Sequence, residues 1–249
     1  MITMKKIRRE LAIFLVLVLL SVILYFLHYA VFHDKHHILI FGLSELAFLP
    51  LEVLVVTAIL HRLLELRDKQ ALFAKKNMLI GTFFSEIGIN LLRSIVFMDR
   101  SNANFLVNLK VNNESTKRDF KQGLRFVEHY TPELKVGNKE IIGLKDLILS
   151  KKPFLSDLIQ HPILLEHKSF TDLLLSTYHL AEELNYRSNL DNLSANDMKH
   201  LVGDIERIYK QLLPEWIEYM RSLKNNYPYL FSLYIRLNPF IKSIDVTIN

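Results

Sequence analysis

The sequence predicts an all-α protein: an N-terminal two-helix transmembrane hairpin, a long connector helix and a cytoplasmic helical bundle. Three observations carry this expectation. Two long apolar runs stand before residue 61. Beyond them, apolar positions recur at helical and not at alternating spacing. The chain has only seven Gly and seven Pro with which to interrupt helices. The organisation expected is a hairpin over residues 1–60, a connector over 61–100 and a helical domain over 101–249.

Leu11 to Phe32 is 22 residues long and carries no formal charge. As a helix it measures about 33 Å, enough to cross the hydrocarbon core of a bilayer. A basic N-terminal segment precedes it, as in a signal peptide. The apolar run is longer than a signal core, no small-x-small cleavage pattern follows, and a second apolar run begins almost at once. A span over about 11–32 is therefore the better reading. The second run, about 38–60, is broken only by Ser44, Glu45, Glu52 and Thr57, and the short "HDKHH" between the runs makes the pair antiparallel.

Lys5, Lys6, Arg8 and Arg9 precede the first span, and Arg62, Arg67 and Lys69 follow the second. Basic flanks of this kind mark the cytoplasmic side, which places both termini in the cytoplasm of a multi-pass membrane protein. They also account for much of the net charge of +5 and the pI near 9.2. No nucleic-acid-binding motif accompanies the charge, so no nucleic-acid partner is expected. Cysteine is absent, which excludes disulfides, thiolate metal sites and cysteine nucleophiles.

Glu45 and Glu52 lie seven residues apart on one face of the second span. Ser21, Tyr25 and His28 share a face of the first. A polar seam between the two spans is the economical arrangement, with the carboxylates hidden from lipid. Neutral Glu side chains that join helices are favoured over a proton or cation path, because no basic partner other than His28 lies at matching depth. The histidines of the turn are expected to be solvated, since so short a loop does not wrap an ion.

From His61 the pattern continues without proline to "DRSNAN". Leu63, Leu66, Gln70, Phe73, Asn77, Ile80, Phe84, Ile87 and Leu91 follow steps of three and four residues, as in a coiled-coil seam. The competing reading is an amphipathic helix packed on its own domain. Met78 to Met98 carries Glu86, Asn90 and Arg93 in one stripe. That stripe argues for an amphipathic helix and against a third span.

The rest reads as a bundle of about six helices. Ser115 is expected to cap a helix stopped by Thr131-Pro132. "NKEIIGLKDLILS" and "FLSDLIQ" follow, "SFTD" and "SAND" resemble capping boxes, and Pro214 kinks or restarts a helix. Short strands over 104–111 and at "DVTI" are minor possibilities. The aromatic residues after Asn225 read as core or domain docking, with a membrane-interface role as the alternative.

No catalytic motif is present, so no catalytic residue and no cofactor are expected. The one constellation with metal chemistry is His179 with Glu183 and His200 with Asp204, each at helical i, i+4 spacing. Ordinary surface ion pairs account for both more economically. Glu128-His129 and Glu166-His167 are adjacent in sequence and diverge on a helix.

The stretches "LPLEVLVVTAILHRLLELRDK", "NMLIGTFFSEIGINLL", "HKSFTDLLLSTYHLAEEL" and "EWIEYMRSLKNNYPYLFSLYIRLNPF" carry a resemblance. The whole chain is similar to an uncharacterised family of two-span integral membrane proteins of prokaryotes. The resemblance implies an inner (cytoplasmic) membrane protein and supplies no activity. The expected role is a membrane-anchored interaction or signal-relay module, a homo-oligomer in the lipid bilayer with a cytoplasmic protein partner. The alternatives are an inner-leaflet enzyme with a His/carboxylate site, or oligomeric proton or cation translocation through the intramembrane Glu.

Overall fold

The computed structural model describes residues 4–102, 109, 111–241 and 247. Among the described residues the fold is all-α, with one isolated antiparallel bridge between Asp99 and Leu134 and no strand. The strands considered over 104–111 and 245–248 fall almost wholly outside the described residues. The chain divides into two compact units, Met1–Asp68 and Lys69–Asn249.

The first unit holds helix α1, Met4–Phe32, and the opening part of α2, Lys35–Phe83. The connection is shorter than the expected five-residue turn. Only His33 and Asp34 stand outside the helices, and His33 takes a left-handed φ of 53°. Asp34 Oδ1 then accepts from the backbone N–H groups of His36 and His37 at 3.0 and 3.1 Å, satisfying two orphan donors at the start of α2. Pro50 sits inside α2 without ending it. The apolar side chains of this unit are exposed along both helices.

The second unit begins at Lys69 within α2. A π-helical turn, Phe84–Gly88, follows, and α3 runs over Ile89–Val96. Gly88 is required here: a Cβ would lie 2.7 Å from Phe84 Cδ1 and 2.8 Å from Phe83 Cε1. The heptad-like frame through this region divides. Leu63, Leu66 and Phe73 are exposed, while Ile80, Phe84, Ile87 and Leu91 are buried in the core of their own unit. The downstream half is therefore an amphipathic helix face and not an intermolecular seam. Met78 to Met98 packs into the same core. Its polar stripe is used by neighbours in the same unit: Lys151 Nζ meets Glu86 at 2.8 Å, and Arg93 donates to the carbonyls of Asn238 and Ile241.

The remaining helices are α4 (Lys117–Glu128), α5 (Asn138–Ser150), α6 (Lys152–Ile159), α7 (Pro162–Leu165), α8 (Lys168–Tyr186), α9 (Ala195–Asn226) and α10 (Pro228–Arg236). Ser194 caps α9 as its motif predicts, accepting from Asp197 N. Two other caps move. Thr116, not Ser115, caps α4 in a capping box with Asp119, and Ser115 is buried. At α8 the cap is His167, whose Nδ1 accepts from Phe170 N. Ser169 thus lies inside the helix with its hydroxyl free to turn toward α9. Pro214 neither stops nor restarts α9, because packing of Leu212, Leu213, Trp216 and Ile217 into the core holds the helix through it. Of the C-terminal aromatics, Phe231, Tyr234 and Phe240 belong to the core, Phe240 meeting Trp216 edge-on at 5.1 Å and Tyr234 meeting Tyr219 at 5.2 Å, while Tyr227 and Tyr229 are exposed.

Candidate metal centre

The four residues with metal-ligating spacing come from two helices that pack together. His179 and Glu183 lie one turn apart on α8, and His200 and Asp204 one turn apart on α9. Their neighbours Leu180, Leu184, Leu201 and Ile205 are buried in the core, which fixes the two helices face to face. The polar residues therefore stand at the edge of that interface, each pair aimed across at the other.

The two pairs are not independent surface ion pairs, as expected from sequence, but one cluster. His200 Nε2 lies 3.5 Å from Asp204 Oδ2 and 3.8 Å from Glu183 Oε2, and His179 Nε2 lies 3.7 Å from the same Asp204 oxygen. One ligand atom from each of His179, Glu183 and His200 lies within 4.8 Å of the other two. In a tetrahedral site with bonds of about 2.1 Å, neighbouring ligand atoms stand about 3.4 Å apart. The separations of 3.5, 3.7 and 3.8 Å stand close to that value.

Asp204 is the informative member. Its side chain is 3% exposed, whereas the two imidazoles are about half exposed at 49% and 51%. Arg207 Nη1 holds Asp204 Oδ1 at 2.8 Å. Oδ2 is fully buried and has no hydrogen-bond partner. A buried carboxylate oxygen without a donor is costly, and a cation between the imidazoles would satisfy it. Arg187 bonds Glu183 and holds that carboxyl below its ordinary range, with burial opposing the shift. Arg207 and Arg187 thus orient the carboxylates from outside the cluster, as outer partners of metal ligands do.

The hairpin residues are placed differently from expectation. Ser21, Tyr25 and His28 line a groove of about 560 Å³ with His37, Ile38 and Phe41, close to the turn. The His28 and His37 rings stack with centroids 5.9 Å apart. Glu45 and Glu52 do not line this groove and are exposed, so the seam expected to join them to Ser21, Tyr25 and His28 is not formed within one chain. The physical reason is that a two-helix unit gives each helix a single neighbour, and most of each helix surface is left bare.

Sequence reasoning also missed a cluster in the second unit. His167, set aside because it is adjacent to Glu166, stands 3.3 Å from Ser169 Oγ, which donates to buried Glu215 at 2.6 Å. The available signal was Glu215 itself, a lone acid among Leu212, Leu213, Trp216 and Ile217.

Comparison with known proteins gives concordant results over nearly the whole chain. Residues 5–64 match a family described as the MJ1433 N-terminal helical domain, and residues 72–236 match the C-terminal helical domain of the uncharacterized protein MJ1433. The uncharacterized protein MJ1433 of Methanocaldococcus jannaschii is 39% identical over 233 residues, covering 94% of both chains. No solved structure matches. With both helical domains matched in order and a relative aligned almost end to end, the chain belongs to the MJ1433 family.

Proposed function

We propose that the protein is a membrane-anchored interaction or relay module whose helical domain binds a divalent transition-metal ion at His179, Glu183, His200 and Asp204. The observation that carries the metal site is buried Asp204 Oδ2, without a hydrogen bond and within ion-pair distance of two imidazoles. Two imidazoles and two carboxylates suit Zn²⁺ and other first-row divalent ions. The ion would tie α8 to α9, so its arrival or loss would change the rigidity of the domain's central helix pair.

The anchor rests on the first unit. Leu11–Phe32 has a mean hydropathy of 2.8 and the apolar stretch of the second helix 2.1, and neither window is buried in the protein. Water would hydrate this surface at a large cost, and a bilayer removes that cost. In this arrangement the basic flanks set both termini in the cytoplasm of a prokaryotic inner membrane. Glu45 and Glu52, which find no cover in their own hairpin, would meet a second copy of the chain, together with the exposed Leu63 and Leu66. Carbonate extraction of membranes containing the full chain provides the check. Retention in the pellet is expected, and release into the supernatant would contradict the anchor.

A second reading is an inner-leaflet metalloenzyme. The half-exposed imidazoles favour it, because an open face leaves room for a water on the ion. The metal itself is tested by stripping the purified full chain with chelator and titrating Zn²⁺ or Mn²⁺. One ion per chain is expected, with affinity falling about 10- to 100-fold or more in Asp204→Ala. If wild type and Asp204→Ala bind alike, or neither binds stoichiometrically, protonated imidazoles and not an ion satisfy Asp204.

A further inference from the structure

The second unit holds another polar concavity, apart from the His/carboxylate cluster. A cavity of about 750 Å³ is enclosed by the Phe73–Ile80 stretch of α2, Lys117 at the start of α4, His167 and Ser169 at the start of α8, and the Glu215–Asn226 stretch of α9. Its volume suits a drug-sized ligand.

Glu215 is a buried acid on the cavity wall, and its Oε1 accepts from Ser169 Oγ at 2.6 Å. Burial raises its carboxyl above the ordinary value. Ser169, His167 and Lys76 pull it back down, and Glu218 pushes it up. Burial thus works against charge on this carboxyl, while the Ser169 hydrogen bond and the nearby cations work for it.

The remaining lining is cationic and aromatic. Arg221 pairs with Glu218. Among the described residues no carboxylate lies within ion-pair distance of Lys76 or Lys117. The lining sets Lys76, Lys117 and Arg221 against Glu215 and Glu218, so cations outnumber acids even with both carboxylates ionised. Phe73, Ile80 and Tyr219 supply an apolar wall, and the Lys76 ammonium sits 5.1 Å from the centre of the Phe73 ring.

We infer that this cavity binds a small organic anion, a phosphate or carboxylate carried on an unsaturated ring. Lys76 and Lys117 take the anionic group, since no described carboxylate lies within ion-pair distance of either. The ring lies against the exposed Phe73, where stacking and burial reward a flat body. Asn77 and Asn225 in the lining serve its polar groups. A cationic amine, the opposite choice, would have to be held by Glu215 and Glu218 against the three cations of the lining. The inference stands apart from the metal and the membrane anchor, since none of these residues belongs to either.

Calorimetric titration of the full chain tests it, with AMP and 4-nitrophenyl phosphate as probes. EDTA is included throughout, so that no phosphate is held through an ion at the His/carboxylate cluster. Saturable binding of at least one probe is expected, with adenosine and inorganic phosphate each about tenfold weaker or worse, because each lacks half of the recognition. The Lys76→Ala/Lys117→Ala double variant, altered at residues outside the core, should unfold at the wild-type temperature and bind at least tenfold more weakly. Glu215→Gln, which leaves all three cations in place, should bind at least as well as wild type does. The inference is overturned if neither ring-bearing anion binds, if the double lysine variant binds normally, or if Glu215→Gln abolishes binding while the cation tyramine binds the wild type.

Discussion

Replacing Asp99 with alanine is expected to destabilise the helical domain by on the order of 3 kcal/mol or more, because one buried carboxylate organises three donors. Asp99 is 2% exposed. Its Oδ1 accepts from the backbone N–H groups of Ser101 and Glu133 at 3.0 and 3.1 Å. The Tyr130 hydroxyl donates to Oδ2 at 2.5 Å, and buried Tyr209 from α9 feels the same carboxylate. Burial first, and then Asp99, push both phenols well above the ordinary tyrosine value, so each remains a donor. The bridge between Asp99 and Leu134, with Lys135 N donating to Met98 O at 2.8 Å, is anchored by this network. Alanine would orphan the Tyr130 phenol and two amides together. Chemical denaturation followed by circular dichroism measures the loss. Adding Tyr130→Phe to Asp99→Ala should cost less than the sum of the single changes, since the phenol has then already lost its acceptor. A single-variant cost below about 1 kcal/mol would show that water replaces Asp99 at these donors.

Trp216→Ala is expected to cost about 3–5 kcal/mol by the same measurement. The indole is 1% exposed and meets Phe240 edge-on at 5.1 Å. Truncation opens a cavity beside Ile217 and Leu213 in the closely packed core. Trp216→Phe should cost far less. The indole Nε1–H is buried without a hydrogen-bond partner, so phenylalanine removes an unsatisfied donor along with part of the ring. Equal losses in the two variants would mean that the indole nitrogen has an acceptor in solution.

These two sites differ in how far the sequence announced them. Trp216 is legible as core from the apolar spacing of Leu212, Leu213, Trp216, Ile217 and Met220. Asp99 is not, because "DRSNAN" reads as a polar loop. Its burial depends on a tyrosine 31 positions away, and on α9 passing behind. A local pattern records which face of its own helix a residue occupies. It carries nothing about a partner brought in by the fold.

The candidate metal centre lies between those cases. Spacing alone put His179 with Glu183 and His200 with Asp204 on single helical faces, so each pair was legible. That the two faces meet was not, because nothing in either helix specifies its neighbour. Ser169 shows the opposite failure. "SFTD" fits a capping box, yet His167 takes the cap and releases the hydroxyl to Glu215, a contact over 46 residues. Local hydrogen-bond rules were satisfied in both arrangements, and tertiary packing chose between them.

By itself the sequence determined the all-α class, the two long apolar helices, most helix boundaries and the helical faces on which each polar residue stands. Those properties follow from periodicity, capping and the scarcity of Gly and Pro, all of which act within a few residues. Only the tertiary structure decided which faces meet: that half of the connector frame is core, that His179, Glu183, His200 and Asp204 form one cluster, and that Glu45 and Glu52 find no cover within their own hairpin. Burial and long-range hydrogen bonds act between segments far apart in the chain, and their free energy depends on the assembled neighbours and not on local order.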